Sequence, residues 1–322
     1  MGLISKSDFA PFFLLRGPHL QTIWAAKFRR KPVSKSIEWE QLELDDGDFL
    51  ELVWMKNPNR PTVVILPGLE GNFYNSTYVA CLMRTLYHQN LQGVLVHSRG
   101  CGRKVNRLPR SYHAGDIDDL ESAIQFISKK ISEFPVAIVG YSLGGNVLLR
   151  WLGLTQPNLL QTAVAVSVPF DLSASSDYLS RGFSRCYQKY LLRSMRLKFL
   201  EKTKVLGSFL PIKDINSLKS FRHYDDAITA PLHGFSGVED YYRKTSCIDI
   251  LPEIDTNTLI IHALDDPFLP PEAVPSIDRL SDSTTLELSN HGGHVGFVGA
   301  LKNGNLHYWL EDRITSHIHS IL

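Results

Sequence analysis

Apolar and polar residues change their period along the chain, and these changes predict alternating strands and helices. The run Thr62–Leu66 is uninterrupted and rich in β-branched and apolar side chains, which is typical of a strand buried on both faces. Between 116 and 131, isoleucine and leucine recur every three or four residues, as one face of a helix requires. We predict strands at 62–66, 94–97, 136–139, 163–168, 258–263 and 285–288, and helices at 76–88, 116–131 and 143–152, with a last helix carrying Leu306, Leu310, Ile314 and Ile318. Because strands joined by helical crossovers run parallel, the pattern predicts an α/β fold with a mostly parallel central sheet flanked by helices.

The interval 173–255 interrupts this alternation. It is too long for a loop and lacks strand signals, so we predict a helical cap inserted over one end of the sheet. Residues 37–172 and 256–322 then form the α/β core, which begins with a hairpin around Asp45–Asp48. Residues 1–36 contain seven lysines and arginines against a single acid, and are predicted to be an N-terminal arm.

One segment of the cap combines an apolar face with many cations. Tyr187, Leu191, Met195 and Phe199 recur every four residues, and lysines and arginines surround them. The pattern favours a cap helix packed on the core, with its cations solvated. Contact of the basic arm and this helix with an anionic membrane or an anionic substrate is the alternative.

Composition excludes several classes of protein. Lysine and arginine total 34 against 33 aspartates and glutamates, so the net charge of +1 argues against a nucleic-acid-binding protein. The four cysteines lie far apart, which suggests neither a disulfide framework nor a cysteine zinc site and points to a reducing compartment. The N-terminus shows no basic segment followed by a long apolar run, so we expect a cytoplasmic protein.

The strongest chemical signal is Gly140-Tyr141-Ser142-Leu143-Gly144, between a predicted strand and a predicted helix. This G-x-S-x-G pattern is typical of a nucleophile elbow, a strained turn that needs small residues two positions before and after the serine. The helix that follows directs its N-terminal N–H groups at the same point. The sequence therefore predicts that Ser142 is a nucleophile.

A serine nucleophile needs a base and an acid that orients the base, in the chain order serine, acid, histidine. Asp265 and Asp266 follow the strand 258–263, and His291 and His294 follow the last predicted strand. We prefer Asp266, which directly precedes a proline, and His294, whose flanking glycines let the loop turn the ring toward Ser142.

An oxyanion hole needs two N–H donors, which we assign to Leu143, directly after the nucleophile, and Leu69, in the loop after strand 62–66. A metal centre is the alternative use of the neighbouring acids and histidines, which are His262, Asp265, Asp266, His291 and His294. These residues lack a helical H-x-x-x-H pair, and the proposed triad already uses some of them. We therefore expect no metal and no cofactor.

The sequence resembles the YheT-like branch of the α/β hydrolases, which is the α/β-hydrolase 4 family, over nearly its whole length. The resemblance rests on the blocks Gly17–Thr22, Leu66–Gly71, Ser98–Gly102, Ser111–Gly115, Tyr224–Asp226, Gly234–Phe235, Asp240–Arg243, Asp265–Phe268 and Gly292–Phe297. Carried onto this chain, the family's charge relay falls on Ser142, Asp266 and His294. The resemblance implies hydrolysis of carboxylic, lipid-like acyl esters. Two rival functions remain: thioester or amide hydrolysis on the same triad, and ligand binding without catalysis.

Overall fold

Nine strands form one sheet in the computed structural model, which describes residues 2–31, 37–131, 133–302 and 304–322. In chain order the strands are β1 Leu3–Lys6, β2 Ile37–Glu43, β3 Phe49–Met55, β4 Thr62–Leu66, β5 Gln92–Val96, β6 Ala137–Tyr141, β7 Thr162–Val166, β8 Thr258–Ala263 and β9 Thr284–Ser289. Their order across the sheet is β1-β9-β8-β7-β6-β4-β5-β3-β2. The pairs β2–β3 and β3–β5 are antiparallel, and the other neighbours in the sheet run parallel. The predicted fold class is confirmed.

Helices cover both faces of the sheet and one end of it. They are α1 Pro18–Lys27, α2 Thr77–His88, α3 Ile117–Ile131, α4 Leu143–Thr155, α5 Leu172–Leu179, α6 Ser184–Leu206, α7 Phe221–Tyr224, α8 Ala230–Leu232, α9 Val238–Thr245 and α10 Trp309–Ile321. A π-helical turn, Asp225–Thr229, joins α7 to α8. A separate hairpin consists of β10 Val298–Lys302 and β11 Asn305–Tyr308.

Alternate residues of the buried strands enter two different cores. Val64 and Ile138 pack with α3 and α4 on one face, whereas Val63, Ile65 and Val139 pack with α2 and α10 on the other. Both faces of β4 and β6 are therefore buried from solvent, which explains why their sequences are continuous apolar runs rather than alternating ones.

Near each end of the chain lies a strand that the sequence pattern did not predict. Leu3–Lys6, expected within an arm, forms the edge strand β1 beside β9, and the salt bridge between Arg29 and Glu311 (2.6 Å) buries one of the arm's cations. Another cation of the predicted arm, Lys35, lies outside the described residues. The placement of Leu306 in the last helix was wrong, because this residue lies in β11 and α10 begins at Trp309. Strand β1 pairs with β9, which is distant in sequence, and β11 pairs with β10 in a bulged hairpin. Local apolar spacing reveals neither pairing.

The segment between β7 and β8 contains helices and turns and lies over the carboxyl ends of the parallel strands. Ser184 Oγ, at the start of α6, donates a hydrogen bond of 2.7 Å to the carbonyl oxygen of Pro267, in the loop after β8. Lys202, near the end of α6, donates to the carbonyl oxygen of Arg110 (2.6 Å). The division into arm, core and cap stays a prediction, but these contacts hold α6 above the strand ends that carry the candidate site.

Candidate active site

Ser142 lies in a strained turn between β6 and α4. Its φ of 50° and ψ of −119° lie outside the regions that residues with a side chain normally adopt. A Cβ at Gly140 would come within 2.6 Å of the carbonyl oxygen of Gly144. A Cβ at Gly144 would meet the carbonyl oxygens of Leu66 and Pro67. The turn can therefore close only where both flanking residues are glycine, which is the physical content of the pattern seen in the sequence.

His294 connects Ser142 to Asp266. The Oγ of Ser142 lies 3.0 Å from Nε2 of His294, and Nδ1 of the same ring lies 2.9 Å from Oδ2 of Asp266. The three residues come from the ends of β6, β8 and β9, and parallel strands bring their carboxyl ends to one edge. The structure thus brings together the serine, the acid and the histidine selected from the sequence.

The alternative acid and histidine occupy a different position. Asp265 accepts the N–H of Gly293 (2.9 Å) and lies 3.5 Å from Nδ1 of His291, whose side chain is nearly half exposed. Asp266 is 2% exposed, and its Oδ1 accepts the N–H of Phe268 (2.8 Å). The backbone bond and the imidazole therefore hold the carboxylate of Asp266 in one orientation.

Phe268 and Thr22, for which no function was predicted from the sequence, hold His294 in place. Phe268 stacks on the imidazole with ring centroids 3.8 Å apart and an interplanar angle of 7°. Thr22, on α1, accepts the backbone N–H of His294 (2.9 Å), and a Cβ at Gly293 would come within 2.6 Å of the same Thr22 oxygen. The block Gly17–Thr22 resembles the family's N-terminal sequence, and this resemblance was the one sequence signal that could have pointed to Thr22.

The loop after β4 approaches Ser142 closely. A Cβ at Gly68 would lie 3.1 Å from Cβ of Ser142, so the glycine admits the loop to the site. The N–H groups of Gly68 and Glu70 are hydrogen-bonded to Tyr78 (3.0 Å) and Tyr112 (2.8 Å). Leu69 lies between these two anchored residues, and Leu143 is the first residue of α4. Both of the predicted oxyanion donors therefore lie next to Ser142 or in the loop that touches it.

A cavity of about 250 Å³ opens beside the three residues, under the cap. One part of its wall is apolar and comes largely from the cap and the loop after β8, with Leu69, Leu179, Leu191, Met195, Phe199, Phe221, Ile228, Phe268 and Leu269. The cavity can therefore hold an apolar chain beside Ser142.

The other part of the cavity wall carries ionisable groups, and burial disfavours the charged form of each of them. Burial lowers the pKa of His113 to about 3 and that of His233 to about 4, so both imidazoles are neutral at pH 7. Burial likewise lowers the pKa of Lys202 to about 8. It raises the pKa of Asp225 to about 6, although Thr229 and Tyr242 donate hydrogen bonds to this carboxylate.

The comparisons with known proteins agree with the fold. A family model described as the alpha/beta hydrolase fold matches residues 61–300. YheT of Escherichia coli strain K12, named as an esterase, is 39% identical to this chain over 319 residues, covering 96% of this chain and 92% of that protein. Phospholipase ABHD3 of Bos taurus is 27% identical and covers 80% of this chain and 66% of its own length. The solved structure of the Pyrococcus furiosus esterase Pf2001 covers 91% of this chain and 98% of its own, with a TM-score of 0.57 and 16% identity.

The fold and these relatives define a carboxylic ester hydrolase. The chain belongs to the α/β-hydrolase family and, within it, to the YheT-like branch that its sequence resembles. In the described ranges, no helix combines the length and the apolar content needed to cross a lipid bilayer.

Proposed function

We propose that the protein hydrolyses acyl esters in two steps, with Ser142 as nucleophile, His294 as base and Asp266 as the acid that orients the base. The observation that carries this proposal is the chain of short contacts from Asp266 through His294 to Ser142 at the cavity wall. Ser142 Oγ attacks the ester carbonyl while Nε2 of His294 takes its proton. His294 then gives that proton to the departing alcohol, and an acyl group remains on Ser142.

Water completes the cycle by the same route. His294 takes a proton from the water molecule, whose oxygen attacks the acyl-enzyme, and returns the proton to Ser142 as the acid leaves. Asp266 holds Nδ1–H of His294 throughout and stabilises the imidazolium that forms in each step. The reaction needs no metal or cofactor.

We assign the backbone N–H groups of Leu69 and Leu143 to the oxyanion hole. The position of Leu143 at the start of α4 adds the helix dipole to its hydrogen bond. Leu69 is held between Gly68 and Glu70, whose own N–H groups are bonded to tyrosines. Each donor aimed at the developing oxyanion contributes about 3 kcal/mol to catalysis in enzymes of this kind.

The preferred substrate is an ester with an apolar acyl chain. The apolar wall of the cavity supports this choice, as do the names of the esterase and phospholipase relatives. We expect p-nitrophenyl esters to give a burst of one equivalent of p-nitrophenol per enzyme wherever deacylation is the slower step. We also expect acyl esters to be hydrolysed with higher kcat/KM than matched thioesters or anilides. A thioester or anilide that proved the better substrate at equal chain length would replace the ester assignment.

The outward face of α6 supports peripheral contact with an anionic membrane. Tyr190, Leu197, Leu200 and Val205 expose 40 to 65% of their surface there, although large apolar side chains are normally buried. The cations Arg185, Lys189, Arg193 and Lys204 lie exposed among them with one acid, Glu201. Lys27 of α1 lies 4.6 Å from the Tyr190 ring, which continues the surface onto the N-terminal helix. An apolar face bordered by cations fits the headgroup region of an anionic bilayer.

Vesicle sedimentation tests this contact. Vesicles with about one-third anionic lipid should bind more protein than neutral vesicles at low salt, and the difference should shrink as salt screens the charges. The substitutions Leu197→Ser and Arg193→Gln should each weaken binding. Equal binding to both vesicle types at low salt would eliminate the anionic membrane as a partner.

We place the protein in the reducing cytoplasm. Cys81, Cys101 and Cys247 are buried thiols, and Cys186 is an exposed free thiol on α6. Exposed free thiols persist in reducing compartments. Recovery of the native protein in an oxidising compartment, with Cys186 disulfide-bonded, would contradict this location.

A further inference from the structure

Glu70 occupies an unusual position in the loop that carries Leu69. Its φ is 61°, a left-handed conformation that costs energy in any residue with a Cβ. Only 5% of the residue is exposed, so its carboxylate lies almost entirely out of water. A strained and buried glutamate next to a proposed oxyanion donor needs partners that hold it there.

The core supplies partners for both backbone polar groups of Glu70. Its N–H donates to Oη of Tyr112 (2.8 Å), and Nδ2 of Asn75 donates to its carbonyl oxygen (2.9 Å). Tyr112 then donates its own hydroxyl proton to Oε1 of the Glu70 carboxylate (2.9 Å). The first bond holds the peptide between Leu69 and Glu70, the second holds the peptide that follows Glu70, and the third closes a ring through the tyrosine hydroxyl.

The cap supplies the partners of the other carboxylate oxygen. Ser194 Oγ donates a hydrogen bond of 2.5 Å to Oε2 of Glu70, and Nζ of Lys198 lies 3.0 Å from the same oxygen. Ser194 and Lys198 lie one turn apart on α6, the helix that also contributes Leu191 and Met195 to the cavity wall. One residue of the oxyanion loop is thus bonded to the core through one carboxylate oxygen and to the cap through the other.

We infer that Glu70 is a positioning residue that couples the docking of α6 to the orientation of the Leu69 N–H. This inference rests on the proposed function, in which that N–H stabilises the oxyanion. With α6 docked, Lys198 balances the charge of the buried carboxylate, Ser194 donates a hydrogen bond to it, and the left-handed turn at Glu70 is maintained. Without those two donors the buried carboxylate keeps its bond from Tyr112 but loses its counter-charge, which favours a rearranged loop and a misdirected Leu69 N–H. The cap therefore controls catalytic power as well as the shape of the cavity.

The test measures kcat and KM separately on p-nitrophenyl acetate, whose acyl group is too short to fill the apolar wall of α6. A loss of activity on this ester therefore cannot come from lost contacts with a long acyl chain. We expect Glu70→Ala to lower kcat by about 10- to 100-fold with KM changed by less than about twofold, as for a weakened oxyanion donor. Glu70→Gln keeps the bond from Tyr112 and should fall between Glu70→Ala and the wild type.

The cap-side variants test the coupling itself. Ser194→Ala and Lys198→Met should each lower kcat on p-nitrophenyl acetate by about 3- to 10-fold. The double variant Glu70→Ala with Lys198→Met should be no worse than Glu70→Ala alone, because both changes act through one contact. Lys219→Met is the matched control, since Lys219 is an exposed lysine of the cap region, and it should leave kcat unchanged.

Three results would overturn the coupling: unchanged kcat in Glu70→Ala, losses confined to KM, or multiplied losses in the double variant. Thermal unfolding identifies variants that fail to fold, and if Glu70→Ala fails then Ser194→Ala, which removes a single hydroxyl, decides the question. Labelling of the wild type by a fluorophosphonate probe separates the two proposals. An unlabelled wild type contradicts the proposed function, whereas a labelled wild type with a fully active Glu70→Ala contradicts only the coupling.

Discussion

The cavity lies between two regions that position their residues in different ways. On the core side, backbone crowding fixes the nucleophile turn, because neither Gly140 nor Gly144 has room for a Cβ. On the cap side, α6 is held by side-chain contacts with the core, through Ser184, Ser194, Lys198 and Lys202. Backbone sterics tolerate almost no change, whereas side-chain contacts can be altered individually. The proposed catalytic residues therefore lie on the side fixed by backbone packing, and the side chains that we expect to adjust selectivity lie on the other side.

Two buried aspartates show the same contrast in their hydrogen-bond partners. Asp266, in the core, faces the imidazole of His294 and one backbone N–H. Asp225, in the π-helical turn of the cap, accepts hydrogen bonds from the hydroxyls of Thr229 and Tyr242, and burial raises its pKa to about 6. The partner of Asp266 can carry a positive charge, as the proposed mechanism requires, whereas the two hydroxyl partners of Asp225 carry none and burial destabilises its ionised form.

Asp266→Asn should show the largest effect on the core side. The amide cannot hold His294 in the productive tautomer, so kcat should fall by about 10⁴-fold while the protein remains folded. The neighbouring acid provides the control: Asp265→Asn should change kcat by less than about threefold, since Asp265 contacts Gly293 and His291. Steady-state kinetics on one ester compares the pair, and a larger loss in Asp265→Asn would reassign the acid.

Gly144→Ala tests whether the backbone fixes the nucleophile. The added methyl would meet the carbonyl oxygens of Leu66 and Pro67, so the turn must shift. We expect kcat/KM to fall about 100-fold, as for a misplacement of about 1 Å, together with a lower Tm. A Cβ at Gly17 would meet nothing, so Gly17→Ala should stay near wild type. Wild-type activity in Gly144→Ala would show that the turn is more plastic than its geometry indicates.

The sequence reveals local features of this protein well and long-range contacts poorly. The strand, turn and helix around Ser142 lie within a short stretch, so their pattern identifies the turn directly. The roles of Glu70 and Thr22 depend on partners far along the chain, namely Ser194 and Lys198 in one case and the His294 loop in the other. Leu3–Lys6 likewise pairs with a distant strand, β9. Leu306 is a local exception, since it pairs with Leu301 in a hairpin whose register shifts at a bulge, and apolar spacing does not indicate that pairing.

Met195→Trp should show a smaller effect, on selectivity rather than on chemistry. The larger side chain reduces the apolar part of the cavity, so the ratio of kcat/KM for long-chain over short-chain p-nitrophenyl esters should fall about tenfold. Leu159→Trp, at an exposed residue outside the cap, is the control and should leave the ratio unchanged. An unchanged ratio in Met195→Trp would mean that the acyl chain does not reach α6.

Asp225→Asn should give the smallest effect, on stability. The carboxyl pKa is about 6 in the folded protein, above its ordinary value of 3.8, so the native state binds more protons than the unfolded state between these pH values. Stability from this group is therefore lost as pH rises through that window. At pH 7.5 the variant should be about 1–2 kcal/mol more stable than wild type, since removing the charge outweighs a weakened hydrogen bond. Denaturant unfolding at pH 4 and 7.5 measures the difference in the free energy of unfolding between the variant and the wild type. A variant that is less stable than the wild type at pH 7.5 would contradict the prediction.

The central claim is that the turn after β6 presents an activated serine. The most direct test is labelling by a fluorophosphonate probe, followed by mass mapping of the modified peptide, in the wild type and in Ser142→Ala. The account predicts a stoichiometric adduct on Ser142 in the folded wild type and no adduct in the variant. A folded wild type that stays unlabelled, or a variant labelled as strongly as the wild type, would contradict it.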